Sequence, residues 1–249
     1  MKYLSYIVIL LISNFVIAQN QALFEKANAL YNDGEYAEAI DAYNLILENG
    51  KHSAEVYFNL ANAHYKLNHI APSIYNYEKA LRLAPNDKDI RNNAAFARNM
   101  TIDDIEVLPQ AGFSKIMKDI TNTFSFDNWS KISIALVILS IVLFLLYYFS
   151  YSETRKRLSF VSSFLVLFIG LIALSFAFKK YNLVKKDKPA IVFSQESRVM
   201  SEPNKRSEES FRLHEGTKVQ VLDSVDQWKK IQLANGNEGW VESEDIKPL

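Results

Sequence analysis

Two uncharged apolar runs near the middle of the chain, residues 132–149 and 158–178, constrain its fold more than any other feature. Each is close to the roughly 20 residues an α-helix needs to cross hydrocarbon. Only eight residues separate them, among them Arg155, Lys156 and Arg157, which is too few for a domain and enough for a turn at a membrane face. The chain therefore reads as a multidomain membrane protein, with transmembrane helices over 129–150 and 158–178 and a cytoplasmic turn over 151–157. Any function falls to the soluble segments on either side. Without a charge inside either run, an ion or proton path is not expected.

Residues 1–18 read as a signal peptide. Lys2 gives a positive start, residues 4–17 are mostly apolar, and Ala18 places a small residue before Gln19. Export of the first module sends the first span back to the cytoplasm and the second span out again. Both soluble modules are then outside, and Arg155, Lys156 and Arg157 lie inside, as the positive-inside rule prefers. Lys179, Lys180, Lys185, Lys186 and Lys188 run against that rule on the outer side. The signal peptide acts first and takes precedence.

Residues 20–53 and 54–87 align at an offset of 34, with identities at Phe24/Phe58, Ala27/Ala61, Asn28/Asn62, Ala29/Ala63, Tyr31/Tyr65, Ile40/Ile74, Tyr43/Tyr77 and Leu47/Leu81. A helix pair explains the pattern. Ala27 and Ala61 let two helices approach closely, and Gly34 and its counterpart Asn68 suit a left-handed turn. Ile40, Tyr43, Ile74 and Tyr77 form the apolar stripe of each second helix. Pro72 sits near a helix start, and Pro85 closes the second unit. A third first-helix follows at 89–99, with Ala94 and Ala95 at the close-packing positions, and reads as a cap on the last repeat.

This period and these positions resemble the tetratricopeptide repeat family over 20–99. The resemblance implies a concave groove that binds protein partners through Phe24, Asn28 and Tyr31, then Phe58, Asn62, Tyr65 and Lys66, then Asn92 and Phe96 from the cap. Chaperone-binding members hold a terminal carboxylate with lysines. Here Phe24 and Phe58 stand at such a lysine's position and only Lys66 remains, which favours an aromatic, partly polar groove.

Residues 100–128 read as a linker to the membrane. Asp103, Asp104 and Glu106 are expected to be solvated, a weakly amphipathic stretch begins at Phe113, and Trp129 suits a membrane-interface anchor.

From Pro189 the pattern becomes short and alternating. Residues 190–192, 218–222, 228–233 and 239–241 read as strands, Asn235-Gly236 as a tight hairpin, and 194–209 as a long polar loop. The order Leu213-His214-Glu215-Gly216-Thr217-Lys218-Val219, Trp228, Gly239-Trp240-Val241 resembles the bacterial SH3 domain over 189–249, implying a small all-β barrel that binds peptidoglycan or protein. Trp240 is expected in its core, with Phe211 and Trp228 on an exposed ligand face.

The 28 basic and 28 acidic residues leave no net charge. Residues 19–128 carry 15 acidic and 10 basic groups and the tail from Lys179 carries 12 and 13, so nothing favours nucleic acid. With no cysteine, thiolate zinc sites, disulfides and cysteine nucleophiles are excluded. His52, His64, His69 and His214 do not fall at metal-ligand spacing, and His64 and His69, five apart, are not expected on one face. No phosphate loop, nucleophile elbow or zinc motif appears, so neither metal, cofactor nor enzyme activity is expected.

The whole order of signal peptide, all-α helix pairs, two-helix hairpin and terminal β domain resembles the BatE-like family of the Bacteroides aerotolerance (Bat) operon. That resemblance implies a bacterial inner-membrane, multi-pass scaffold with two periplasmic modules. Its implied partners are von Willebrand A-type membrane proteins and a further repeat protein, with a role in aerotolerance or envelope stress.

Overall fold

The computed structural model describes residues 20–106 and 112–249. The leader assigned to 1–18 lies outside the described residues. The chain divides into two units: one joins the N-terminal part through residue 107 to residues 188–249, and the other spans 108–187. The hairpin is thus an insertion between two parts of one compact body.

The helical part of that body comprises α1 (20–32), α2 (Tyr36–Glu48), α3 (Ala54–Lys66), α4 (Ile70–Leu83) and α5 (Lys88–Arg98). The 34-residue period recurs in its local chemistry. Ser53 caps α3 by accepting the Val56 N–H at 3.2 Å, and 34 residues on, Asp87 caps α5 by accepting the Asp89 and Ile90 N–H groups. Gly34 and Asn68 turn the chain between paired helices at φ 86° and 60°. Ala27 and Ala61 are fully buried, and Tyr43 and Tyr77 fill the centres of two successive cores. The cap departs from expectation at one position. Ala94 and Ala97 are buried, while Ala95, in register with Ala27 and Ala61, is exposed because among the described residues no partner helix of its own repeat packs against it.

Seven strands form the other part: β1 (Pro189–Val192), β2 (Glu196–Met200), β3 (Glu209–His214), β4 (Lys218–Val225), β5 (Trp228–Gln232), β6 (Glu238–Glu242) and β7 (Ile246–Pro248). They make one sheet of order β3-β2-β6-β5-β4-β1-β7, antiparallel throughout. Ala190, Val192, Val199, Leu213, Val219, Ile231, Val241 and Ile246 bring all seven strands to a single core, so the sheet must curl around it. The long loop expected over 194–209 instead contains β2, and only 201–208 remains between β2 and β3. The polar inward residue of β2 hid the alternation: Ser197 is buried because it donates to Asp245 Oδ2 at 2.6 Å.

The tryptophans exchange their expected places. Trp228 is 5 % exposed, whereas Trp240 is only partly buried. Val241 points into the core, so its neighbour Trp240 must point away. Trp228 pairs with Glu242 across the sheet, and beside it the Ser243 N–H donates to the Gln227 carbonyl at 2.7 Å.

The inserted unit contains α6 (Phe113–Thr123), α7 (Phe126–Phe149) and α8 (Glu153–Lys186). Both α7 and α8 are long and apolar enough to cross a membrane. Only residues 150–152 separate them, so Arg155, Lys156 and Arg157 form the first turns of α8 and not a loop. The buried residues along their seam are small, Ser133 and Ser140 on α7 and Ser163, Gly170, Ala173 and Ala177 on α8. Ser133 Oγ donates to the Gly170 carbonyl and Ser140 Oγ to the Ser163 carbonyl, each at 2.9 Å. Large side chains such as Ile134, Ile138, Phe164 and Phe168 point outward. Small-and-polar inside with large-and-apolar outside is the reverse of a soluble helix pair and matches packing in lipid.

Candidate protein-binding site

The nine groove residues lie on α1, α3 and α5, and the repeat brings Asn28 and Asn62 into equivalent settings. Asn28 Oδ1 accepts from Tyr43 Oη at 2.6 Å and from Asn59 Nδ2 at 2.9 Å. Asn62 Oδ1 accepts in the same way from Tyr77 Oη at 2.5 Å and Asn93 Nδ2 at 3.1 Å. Each triad ties a first helix to its own second helix and to the first helix of the next repeat. Burial pushes the Tyr43 hydroxyl up to about 12 and raises Tyr77 further, so both remain proton donors at neutral pH. Phe24 sits edge-on to Tyr43, and Phe58 tilts over Tyr77.

These contacts place Phe24, Asn28, Phe58 and Asn62 within the packing of the repeats. Tyr31 lines a small polar pocket of about 260 Å3 with Asn28, Asn32, Tyr43 and Asn59. Tyr65 is half-buried, Lys66 is exposed, and Phe96, in register with Asn28 and Asn62, is 61 % exposed. Asn59 and Asn93 escaped sequence reasoning although they too are 34 apart. Extending the repeat offset into the cap would have found them.

The helical and strand parts share a close-packed interface. Gly216 stands at φ 86°, and a Cβ there would lie 2.9 Å from both Ile70 Cγ2 and Ile74 Cδ1. Ile191 of β1 is fully buried within the core formed by α4 and α5. Burial of a side chain of that size is worth about 1.5–3 kcal/mol. Phe193 meets Tyr75 edge-on at 5.7 Å, and the Lys247 ammonium lies 4.5 Å from the Tyr75 ring centroid.

Two carboxylates complete the interface. The Glu78 side chain is 8 % exposed and pairs with Arg98 at 2.6 Å and with Lys218 at 2.7 Å. Burial alone would raise its pKa, but the Lys218 and Arg98 cations bring it below the usual carboxylate value. Asp103, expected in solvent, has its side chain 12 % exposed. It accepts from the His214 backbone N–H at 2.7 Å and Thr217 Oγ1 at 2.5 Å, and its Oδ1 lies 2.7 Å from His214 Nδ1. Burial opposes its ionisation, and these bonds outweigh burial, holding the carboxyl below its ordinary value. Its neighbour Ile105 packs on the core of the sheet, which is why this stretch is not a solvated linker.

His64 and His69 do meet, with Nδ1 atoms 3.2 Å apart, because the turn between α3 and α4 folds them together. Burial, the nearby His69 and Lys247 lower His64 to about 4, so it is neutral at neutral pH. Among the described residues no group of three or more His, Asp or Glu gathers as a metal site.

On the sheet, Trp228 lines a polar cavity of about 530 Å3 with Glu196, Arg198, Arg212, Glu242 and Asp245. The Trp228 ring is a buried wall of that cavity and not the exposed platform expected. Phe211 is half-buried against the core, next to Gly239.

Residues 54–87 match the tetratricopeptide repeat model, and residues 198–247 match that of the bacterial SH3 domain. No curated protein matches the chain. The chain therefore contains a helical repeat of a kind used for protein–protein interaction and a bacterial SH3 domain of a kind associated with the cell wall.

Proposed function

We propose that this chain is a non-catalytic scaffold of the bacterial inner membrane, with both soluble modules periplasmic and a partner segment held on the first-helix face of the repeats. The packing of the repeats on the SH3 domain carries the reading. Chain that leaves one body, crosses twice and returns to it must come back to the same side of the membrane, as α7 and α8 would require. The signal peptide read over 1–18 then favours the periplasmic side. The order of modules supports a Bat-type assembly, with von Willebrand A-type membrane proteins and another repeat protein as partners and a role in aerotolerance or envelope stress.

Crosslinking in intact cells, followed by purification of the tagged chain, tests this. Recovery of von Willebrand A-type proteins, lost in a Tyr65→Ala/Lys66→Ala variant that still folds, is the expected result. Unchanged recovery would count against the groove.

A second reading, wall binding through the SH3 domain, is favoured by the polar cavity beside Trp228. Because residues 188–249 share a core with the repeats, the protein to test is the full chain in detergent. Sedimentation with peptidoglycan, lost on Arg198→Ala, supports wall binding, and a chain left in the supernatant removes it.

A further inference from the structure

We propose that the cleft between α6 and the end of α8 binds the headgroup of an anionic phospholipid. The inference rests on the reading that α7 and α8 span a membrane. The cleft, about 790 Å3 and open to solvent, is lined by Lys118, Lys179 and Lys180 and by one acidic residue, Asp187. Met117 and Leu183 add apolar wall. Lys180 donates one of its three N–H bonds to Asn122 Oδ1 at 2.7 Å, which fixes the ammonium in place.

The cleft sits where a headgroup would be. Trp129 stacks on Phe176 at 5.0 Å, donates its Nε1–H to the Thr121 carbonyl at 3.2 Å and meets Phe124 edge-on. Phe126 meets Tyr181 edge-on on the next turn. An aromatic cluster at one end of an apolar hairpin marks the boundary between hydrocarbon and water. Lys179 and Lys180 begin one residue past the last apolar position of the second run.

Helix α6 supplies the place for acyl chains. Phe113, Ile116 and Ile120, with Phe124 just beyond the helix end, fall on one stripe and are exposed. A stripe of this kind beside a span lies in the interfacial plane. A soluble anion would satisfy the lysines and leave Met117, Leu183 and the stripe in water. A phospholipid satisfies both. It also gives a use to lysines that the positive-inside rule leaves unexplained.

Native mass spectrometry of the full chain in detergent tests the site, with phosphatidylglycerol, phosphatidylcholine and inorganic phosphate as probes. Phosphatidylglycerol should be retained at least about tenfold better than phosphatidylcholine, with millimolar phosphate failing to displace it. The preference should vanish in Lys118→Gln/Lys179→Gln/Lys180→Gln and weaken in Lys179→Gln alone. It should persist in Arg155→Gln/Lys156→Gln/Arg157→Gln, which removes the same charge from the other end of the hairpin. Equal retention of the two lipids, loss in the distal variant, or displacement by phosphate would each overturn the site. Carbonate extraction separates the two readings: a chain released from membranes defeats the anchor itself, whereas a retained chain without lysine-dependent selectivity defeats only the cleft.

Discussion

Glu78 on α4 and Lys218 on β4 form a 2.7 Å ion pair across 140 residues of sequence, with the whole hairpin between them. Glu78 also holds Arg98, so one nearly buried carboxylate joins the repeat, its cap and the sheet. Removing it leaves two cations facing each other across a packed interface. Glu78→Ala should destabilise the soluble body by about 2–4 kcal/mol. Calorimetry should show one transition for the wild type and two, repeats and sheet melting apart, for the variant.

Gly216 and Gly34 have the same φ of 86°, but a Cβ on Gly34 meets open space whereas one on Gly216 meets Ile70 and Ile74. Gly34→Ala should therefore cost only the left-handed strain, about 1–2 kcal/mol. Gly216→Ala should cost that and a further ~1–3 kcal/mol of overpacking. Urea titration of both variants reads the difference as the tightness of the interface. Equal losses would mean that the helices and the sheet are not in register contact.

Acid should act on the interface in two steps. His64 is held low, at about 4, so the unfolded chain binds its proton first, and stability falls as pH drops from the ordinary histidine value toward 4. The Asp103 and Glu78 carboxyls are also held below their ordinary values. Their contribution is complete above the unfolded-state pKa values and is lost as pH falls below the ordinary carboxylate range through the folded ones. His64→Gln should flatten the upper part of a stability–pH curve, and Asp103→Asn the lower part. A curve unchanged by either substitution would contradict the assignment.

The chain has no cysteine, so single cysteines report topology cleanly. Lys51→Cys and Gln195→Cys, both exposed, should react with a membrane-impermeant maleimide in intact spheroplasts. Ser152→Cys, between α7 and α8, should react only after permeabilisation. Opposite labelling of Lys51→Cys and Gln195→Cys would be incompatible with the packing of the two modules.

Groove variants need the same separation of stability from binding. Asn62→Ala removes the acceptor of both Tyr77 and Asn93 and should cost about 1–3 kcal/mol. Lys66 is exposed, and Lys66→Ala should stay within about 0.5 kcal/mol of wild type by denaturant titration. Loss of a partner in Lys66→Ala then reports recognition, whereas loss in Asn62→Ala reports unfolding.

What the sequence disclosed was local or periodic. Helix pairs, turns at Gly34 and Asn68, and the hairpin follow from spacing that any window of the chain displays. The interface was not legible, because Asp103 and His214 are 111 residues apart and nothing near either residue names the other. Asp103, Asp104 and Glu106 look like a solvated run until Ile105, half-buried against the core of the sheet, is seen among them. The tryptophans were misplaced for a parity reason: one residue's shift along a strand moves a side chain to the opposite face. In β2, a buried serine served by Asp245 broke the apolar alternation that marks a strand.

The asparagine at 28 returns at 62, and at the next count of 34 the chain places Phe96. Phenylalanine has no oxygen to offer, so no third tyrosine or asparagine can lock there as Tyr77 and Asn93 lock onto Asn62. The ladder of asparagine locks therefore ends one helix before the array does. Adding a repeat by engineering would first require Phe96→Asn. Until then Phe96 is an exposed apolar end that offers a following helix no side-chain acceptor.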